Sequence, residues 1–180
     1  MLGWFKTRAQ ARRKAEELYG AVVAAARTPL YFRDLSVPDT PEGRFEMVAL
    51  MLYLVLDRLK TAPGGVDLTR GTIEAFVTDM DDCMREMGVG DVVVPKRVRR
   101  AAAAFYERSG AYRAAVKAAD EPALAALFEQ YVYRGASPGA ALLAGHVLEI
   151  ARRLNAVPDA VAMTGDVPAM LGPIDKGVAA

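Results

Sequence analysis

The sequence predicts an all-α fold: a single-domain bundle of about six helices with an irregular C-terminal tail. Three observations carry this. Apolar residues recur at three- and four-residue spacing through most of the chain up to Asn155. Prolines stand where helices would begin, at Pro41, Pro95 and Pro138. The one β-branched stretch, Val89 to Val94, has no second strand to pair with.

The first helix is expected from about Thr7 to Arg27, rich in good helix formers, with Leu18, Val22 and Ala26 on its buried side. It stops at Thr28-Pro29, and the stretch to Pro41, with three prolines, reads as an extended loop. The second helix starts near Pro41 and ends at Pro63-Gly64-Gly65. It is apolar on all sides from Met47 to Leu56, the pattern of a buried central helix. The third opens near Thr69 and stops at Gly88, a left-handed cap position, with Ile73, Phe76, Met80, Met84 and Met87 as its core stripe. A fourth begins at Pro95 and buries Val98, Ala102, Phe105, Ser109, Tyr112 and Val116. The fifth spans roughly Glu121 to Tyr133. The sixth runs from Pro138 to Asn155 with Leu142, Val147, Ile150 and Leu154 inward. From Pro158 no period survives, and residues 158–180 are expected to be extended or disordered. The chain therefore divides into a basic amphipathic segment (1–17), a helical domain (18–157) and the tail.

With 180 residues the chain can bury one sizeable core, and a formal net charge of +1 leaves any electrostatic function to local clusters. A single cysteine, Cys83, excludes an internal disulfide and a multi-cysteine metal site. The apolar run from Met47 to Leu56 is far shorter than the roughly 20 residues of a membrane span. The protein is expected to be soluble or peripheral.

Little in the sequence points to catalysis. The lone histidine, His146, lies on an apolar helix face, where a core role is the ordinary one. There is no nucleophile elbow, phosphate loop or HExxH spacing, and Gly88 and Gly90 lack the rest of a dinucleotide site. Asp79, Asp82 and Glu86 share one helix flank near Asp81 and Asp91. The i,i+4 spacing of Asp81 and Arg85 marks that group as surface pairing rather than a metal site. No metal and no cofactor is expected. Met80, Met84 and Met87 could form an adaptable binding face, but the stripe they continue reads as core.

Two basic clusters remain. Lys96, Arg97, Arg99 and Arg100 occupy the first turns of a helix, where the backbone dipole makes cations unfavourable by a few tenths of a kcal/mol each, up to ~1. A cluster that opposes local stability suggests a partner. It can pair partly with the acidic end of the preceding helix, bind phosphates of RNA or lipid, or dock an acidic protein. Asp79, Asp82, Glu86 and Asp91 belong to the same candidate partner-binding surface. At the N-terminus, Trp4 and Phe5 precede Lys6, Arg8, Arg12, Arg13 and Lys14, a pattern suited to an anionic membrane surface.

Three segments together resemble the ubiquinol–cytochrome c chaperone family. They are Leu30-Tyr31 with VPDTPEGRFEM (Val37 to Met47), DMDDCMREMGVGDVVVPKRV (Asp79 to Val98), and AFYERSGAY (Ala104 to Tyr112). With LYGAVVAAARTP before them, the resemblance extends roughly from Leu18 to Tyr133. It implies a non-enzymatic role in synthesis or early assembly of cytochrome b of the respiratory bc1 complex. Cytochrome b, or another apolar bc1 subunit, would be the partner. Mitochondrial members associate with the ribosome exit region and a small partner protein, so a ribosome contact is also implied. Without a long leader, the chain is expected to be of the shorter bacterial type, cytoplasmic and peripheral at the inner membrane. The rival reading is an RNA- or ribosome-binding helical module that uses Lys96 to Arg100.

Overall fold

A computed structural model describes residues 2–174, with side chains from Arg8 onward. Among these residues the structure is helical throughout, with no strand. Six helices exceed seven residues: α1 (Leu2–Ala26), α3 (Pro41–Leu59), α4 (Gly65–Glu86), α5 (Val94–Ala118), α6 (Glu121–Phe128) and α7 (Pro138–Ala156). Short helices α2 (Pro29–Arg33), α8 (Asp159–Ala162) and α9 (Val167–Leu171) join them, and a π-helical turn (Glu129–Tyr133) extends α6.

Local chemistry starts and stops the helices. Thr40 accepts a hydrogen bond from the Gly43 amide (3.1 Å), Asp120 from Ala123 (3.0 Å), Ser137 from Gly139 (3.2 Å) and Asp166 from Ala169 (3.0 Å). Each of these caps is followed within two residues by a proline, whose missing N–H costs nothing in the first turn. Helix α4 ends in a Schellman motif. Gly88 has a φ of +76°, its amide donates to Arg85 O (2.9 Å), and Val89 N–H reaches back to Met84 O (3.0 Å).

Helix α3 is the axis of the molecule. Every residue from Met47 to Leu56 is buried, so the helix needs neighbours on all sides. It has them in α1, α4, α5, α7, α8 and the π-helical turn. Side-chain pairs give the directions. Glu46 meets Arg108, Tyr53 meets Tyr112 and Asp57 meets Arg113, so α3 and α5 run the same way. Tyr19 meets Asp79, and a Cβ on Gly71 would touch Ala15, so α1 and α4 also run together. The tight turn after α3 and the Phe45–Phe76 contact at 6.3 Å make α4 antiparallel to α3.

Several expectations need correction. The segment 1–17 is the start of one continuous helix, because its Ala15 already packs into the core. The loop after Thr28 contains α2, with Leu30 and Tyr31 buried. Helix α4 opens at Gly65, four residues early, because Gly64 turns the chain with a φ of +77°. The stretch Val89 to Val94, which has no partner strand, is as expected not a strand; it forms a turn that winds into α5. In α7, Leu142 is exposed and Leu143 takes the buried place. The inward stripe is Ala140, Leu143, Val147, Ile150 and Leu154, and Leu142 lies a third of a turn off it. The tail is neither extended nor disordered as far as Ile174: Ala162, Val167, Met170 and Leu171 are part of the core.

Arg58 holds the tail in place. Only 8% exposed, it donates to Val157 O (2.6 Å), Thr61 Oγ1 (2.8 Å) and Asp159 Oδ1 (2.6 Å), tying the end of α3 to the α7–α8 link. At the other end of α3, Glu46 is 3% exposed and accepts from Arg108 Nε at 2.6 Å. Arg108 also lies over the Tyr131 ring, 4.6 Å from its centre. Burial pushes the Glu46 carboxyl up, and the Arg108 contact opposes that rise.

Two predictions follow from this packing. Arg108→Leu leaves a buried carboxylate without its cation and should destabilise the fold by about 3–5 kcal/mol, whereas Glu46→Leu/Arg108→Leu should lie near wild type. A carboxyl whose pKa is raised on folding favours the native state while protonated, and that benefit is lost as pH rises through the raised value. The Arg108→Leu deficit should therefore shrink on acidification, which melting curves at several pH values will show. Separately, Gly43→Ala would set its Cβ 2.0 Å from the Pro38 carbonyl oxygen. It should cost roughly 1–3 kcal/mol, while Gly20→Ala, with open space around it, should stabilise by about 0.5–1 kcal/mol. Denaturant titration compares the two.

Candidate functional site

The α4–α5 hairpin leaves the core at its closed end. Phe76 and Phe105, 5.5 Å apart, are the last large rings it contributes to the core. Beyond them, ten residues of α4 and eleven of α5 continue outward, about 15 Å of helix. Val94 and Val98 are buried there outside the main core, so this end carries its own small apolar contact.

Helical geometry then sorts the charges. With Val94, Val98 and Phe105 on the inner face of α5, Lys96, Arg97, Arg99 and Arg100 fall on its outer face, and all four are exposed. None makes an ion pair or side-chain hydrogen bond among the described residues. The partial internal network expected from the sequence does not form, because the carboxylates of α4 are directed elsewhere. Asp79 accepts from the Tyr19 hydroxyl of α1 at 2.7 Å and from the Cys83 thiol at 3.8 Å. Asp82 and Glu86, at helical spacing from Asp79, continue that flank toward α1 and are exposed. Asp91 pairs with Arg85, which also holds Asp81 at 2.6 Å. The eight candidate partner-binding residues thus lie on one hairpin but apart: Asp79, Asp82 and Glu86 on α4 toward α1, Asp91 in the turn with Arg85, and the cations on the outer face of α5.

Burial, reinforced by Asp79, raises the Tyr19 hydroxyl far above its ordinary value, so it stays protonated and donates. Burial also pushes the Cys83 thiol up, with the Asp79 and Glu86 carboxylates adding to it, which makes Cys83 a weak nucleophile. His146 packs edge-on against Tyr31 at 5.7 Å. Burial lowers its imidazole, and Nε2 has no hydrogen-bond partner among the described residues. No group of three or more His, Cys, Asp or Glu suited to a metal occurs among the described residues.

The sequence reading missed the apolar part of this end. Met87, assigned to the core stripe, is 64% exposed, because α4 has outrun the core by that point. Val92 is 94% exposed and Val93 43% exposed in the turn between the helices. The available signal was a β-branched run in a tight interhelical connection, where turn-forming polar residues are usual.

The N-terminal candidates are placed differently. The side chains of Trp4, Phe5 and Lys6 lie outside the described residues. Arg12 and Arg13 are exposed and pair with Glu16 and Glu17 at 2.7 and 2.8 Å. Lys14 is half-buried and Arg8 is exposed. Since α1 and α4 run in the same direction, this cluster lies at the opposite end of the bundle from the α4–α5 turn. No helix among the described residues is long and apolar enough to cross a membrane.

The family model for ubiquinol-cytochrome C chaperone matches residues 33–169. No curated protein sequence matches the chain. Among solved structures, the chain is similar to the crystal structure of the Cbp3 homolog from Brucella abortus, at 35% identity with a TM-score of 0.84. That likeness covers 97% of this chain and 98% of the other. A match spanning most of the helical domain, with a shared fold from end to end, shows that this chain belongs to the ubiquinol-cytochrome C chaperone family.

Proposed function

We propose that this protein is an assembly chaperone for the respiratory cytochrome bc1 complex, supporting synthesis or early assembly of cytochrome b without covalent chemistry. The observation that carries the reading is the family match over residues 33–169. The fold is compatible with it: a closed core and one protruding end where Lys96, Arg97, Arg99 and Arg100 have no internal partner among the described residues and Met87, Val92 and Val93 are exposed. That end, with Lys96, Arg97, Arg99, Arg100, Asp79, Asp82, Glu86 and Asp91, is its contact surface. The protein works at the cytoplasmic face of the inner membrane, where an apolar subunit emerges. The same four cations, free of internal partners, also favour an RNA or ribosome contact, which would be recognised by a steep fall in binding with salt.

Deleting the gene in a host that depends on the bc1 complex should lower assembled cytochrome b and spare other respiratory complexes. Normal cytochrome b in the deletion strain overturns the proposal. Crosslinking from membranes followed by capture of the chaperone should recover cytochrome b.

Replacing Lys96, Arg97, Arg99 and Arg100 with Gln should reduce that recovery with the fold intact. Removing cations from the first turns of α5 relieves an unfavourable dipole interaction of a few tenths of a kcal/mol each. The melting temperature should therefore hold or rise slightly. A marked fall would mean that the cluster supports the fold instead.

A further inference from the structure

We infer that the closed end of the α4–α5 hairpin is a membrane-docking tip, with Met87, Val92 and Val93 entering the interface and Lys96, Arg97, Arg99 and Arg100 meeting anionic lipid headgroups. The inference rests on the reading of this end as the chaperone's contact surface, and it gives the chemistry of one thing that surface touches.

The first observation is the position of the apolar side chains. A soluble helical hairpin would ordinarily close with polar turn residues. This one closes on Val92, the most exposed large apolar residue of those described, at 94%, with Met87, five residues earlier, at 64%. The second is where the cations lie relative to these residues. The turn Gly90–Val93 already has helical hydrogen bonding, with Val93 N–H to Gly90 O at 2.8 Å and Arg97 N–H to Val93 O at 3.2 Å. Val93, Lys96, Arg97 and Arg100 are therefore spaced i, i+3, i+4 and i+7 along one flank, an apolar tip backed by a row of long cationic side chains. Such side chains can extend their heads to phosphates while the tip beneath them leaves water.

Shape favours a lipid surface over a peptide. Two grooves of the molecule run between α1 and α4 and between α1, α2 and α9, and none of Met87, Val92 and Val93 lines either of them. A protein segment gains affinity by entering a concave, apolar site, whereas a protruding valine between cations has its complement in a soft anionic interface. Of the hairpin's carboxylates, Asp79, Asp82 and Glu86 lie on the flank toward α1, whereas Asp91, exposed in the turn next to Val92, shares Arg85 with Asp81, so the attraction to an anionic surface comes from the four cations of α5. The N-terminal cations sit at the far end of the bundle, so this docking would point them away from the same surface.

The full-length protein should float with vesicles of equal parts phosphatidylcholine and phosphatidylglycerol, and not with phosphatidylcholine alone. Each cation near an anionic surface contributes about 1 kcal/mol, roughly a five-fold factor, so the four-Gln variant should bind on the order of a hundred-fold more weakly after screening. Met87→Ser/Val92→Ser should also weaken binding several-fold, an effect that pure charge attraction would not show. Gln in place of Arg8, Arg12, Arg13 and Lys14 should change little. In a Trp4→Phe background, Val92→Trp should show a blue-shifted emission on anionic vesicles. Circular dichroism melts check that each variant is folded.

Absence of flotation with anionic vesicles overturns the inference, as does flotation unaffected by both tip variants. Salt-sensitive binding to single-stranded RNA without vesicle binding, indifferent to Val92→Ser, would assign the cations to nucleic acid. Recovery of cytochrome b by a protein that ignores vesicles would refute the docking tip and leave the chaperone reading standing.

Discussion

Burial of α3 is the constraint on which the rest of the structure depends. Ten consecutive residues, Met47 to Leu56, are shielded from water, whereas an ordinary amphipathic helix hides only one stripe. At about 25 cal/mol for each Å² of apolar surface removed from water, leaving any side of such a helix open would forfeit several kcal/mol. Every long neighbour except α6 packs on it directly, and α6 is joined through α7 and the π-helical turn. The short helix α8 covers a gap that the long ones leave. The tail thus folds by packing, α8 on the axis and α9 on α1 and α7, although its own sequence has no helical period.

Charged groups border this apolar axis at its two ends. Glu46 and Arg108 join α3 to α5 near its start, while Arg58 joins α3 to the α7–α8 link near its finish. A buried charge needs a partner in defined geometry, so these contacts fix how the helices are placed along α3 where apolar packing alone would permit sliding. Tyr133 adds a neutral version by donating to Leu35 O at 2.7 Å, which ties the π-helical turn to the loop before α3. The interior keeps its tyrosines and His146 uncharged, consistent with a core that serves packing.

The hairpin end differs from the body in each of these respects. Met87, Val92 and Val93 are outward, the four cations of α5 lack internal partners among the described residues, and the helix start carries the charge sign that the backbone dipole disfavours. None of the three adds to the stability of the fold. Membership of the ubiquinol-cytochrome C chaperone family fits that division of the molecule.

Sequence patterning alone determined the helical class, the central role of Met47 to Leu56, the proline-led helix starts and the glycine stop at Gly88. These are local matters, set by side-chain period, capping and backbone freedom within a few residues. It also singled out Asp79 to Arg100 as the candidate contact surface, because four cations in one helix start conflict with local electrostatics wherever the helix lies. Tertiary structure decided what depends on the reach of the core. Met87 continues a buried stripe by spacing yet lies in water, since α4 extends past its neighbours. Asp82 and Glu86 are near the cations in sequence yet on another flank, since Tyr19 of α1 takes Asp79 and the helix turns with it. Val167 and Leu171 look like tail yet are core, since α1 and α7 provide the surface they bury. In each case the periodicity of one helix sets a direction, and only the neighbouring helices decide whether protein or solvent lies in it.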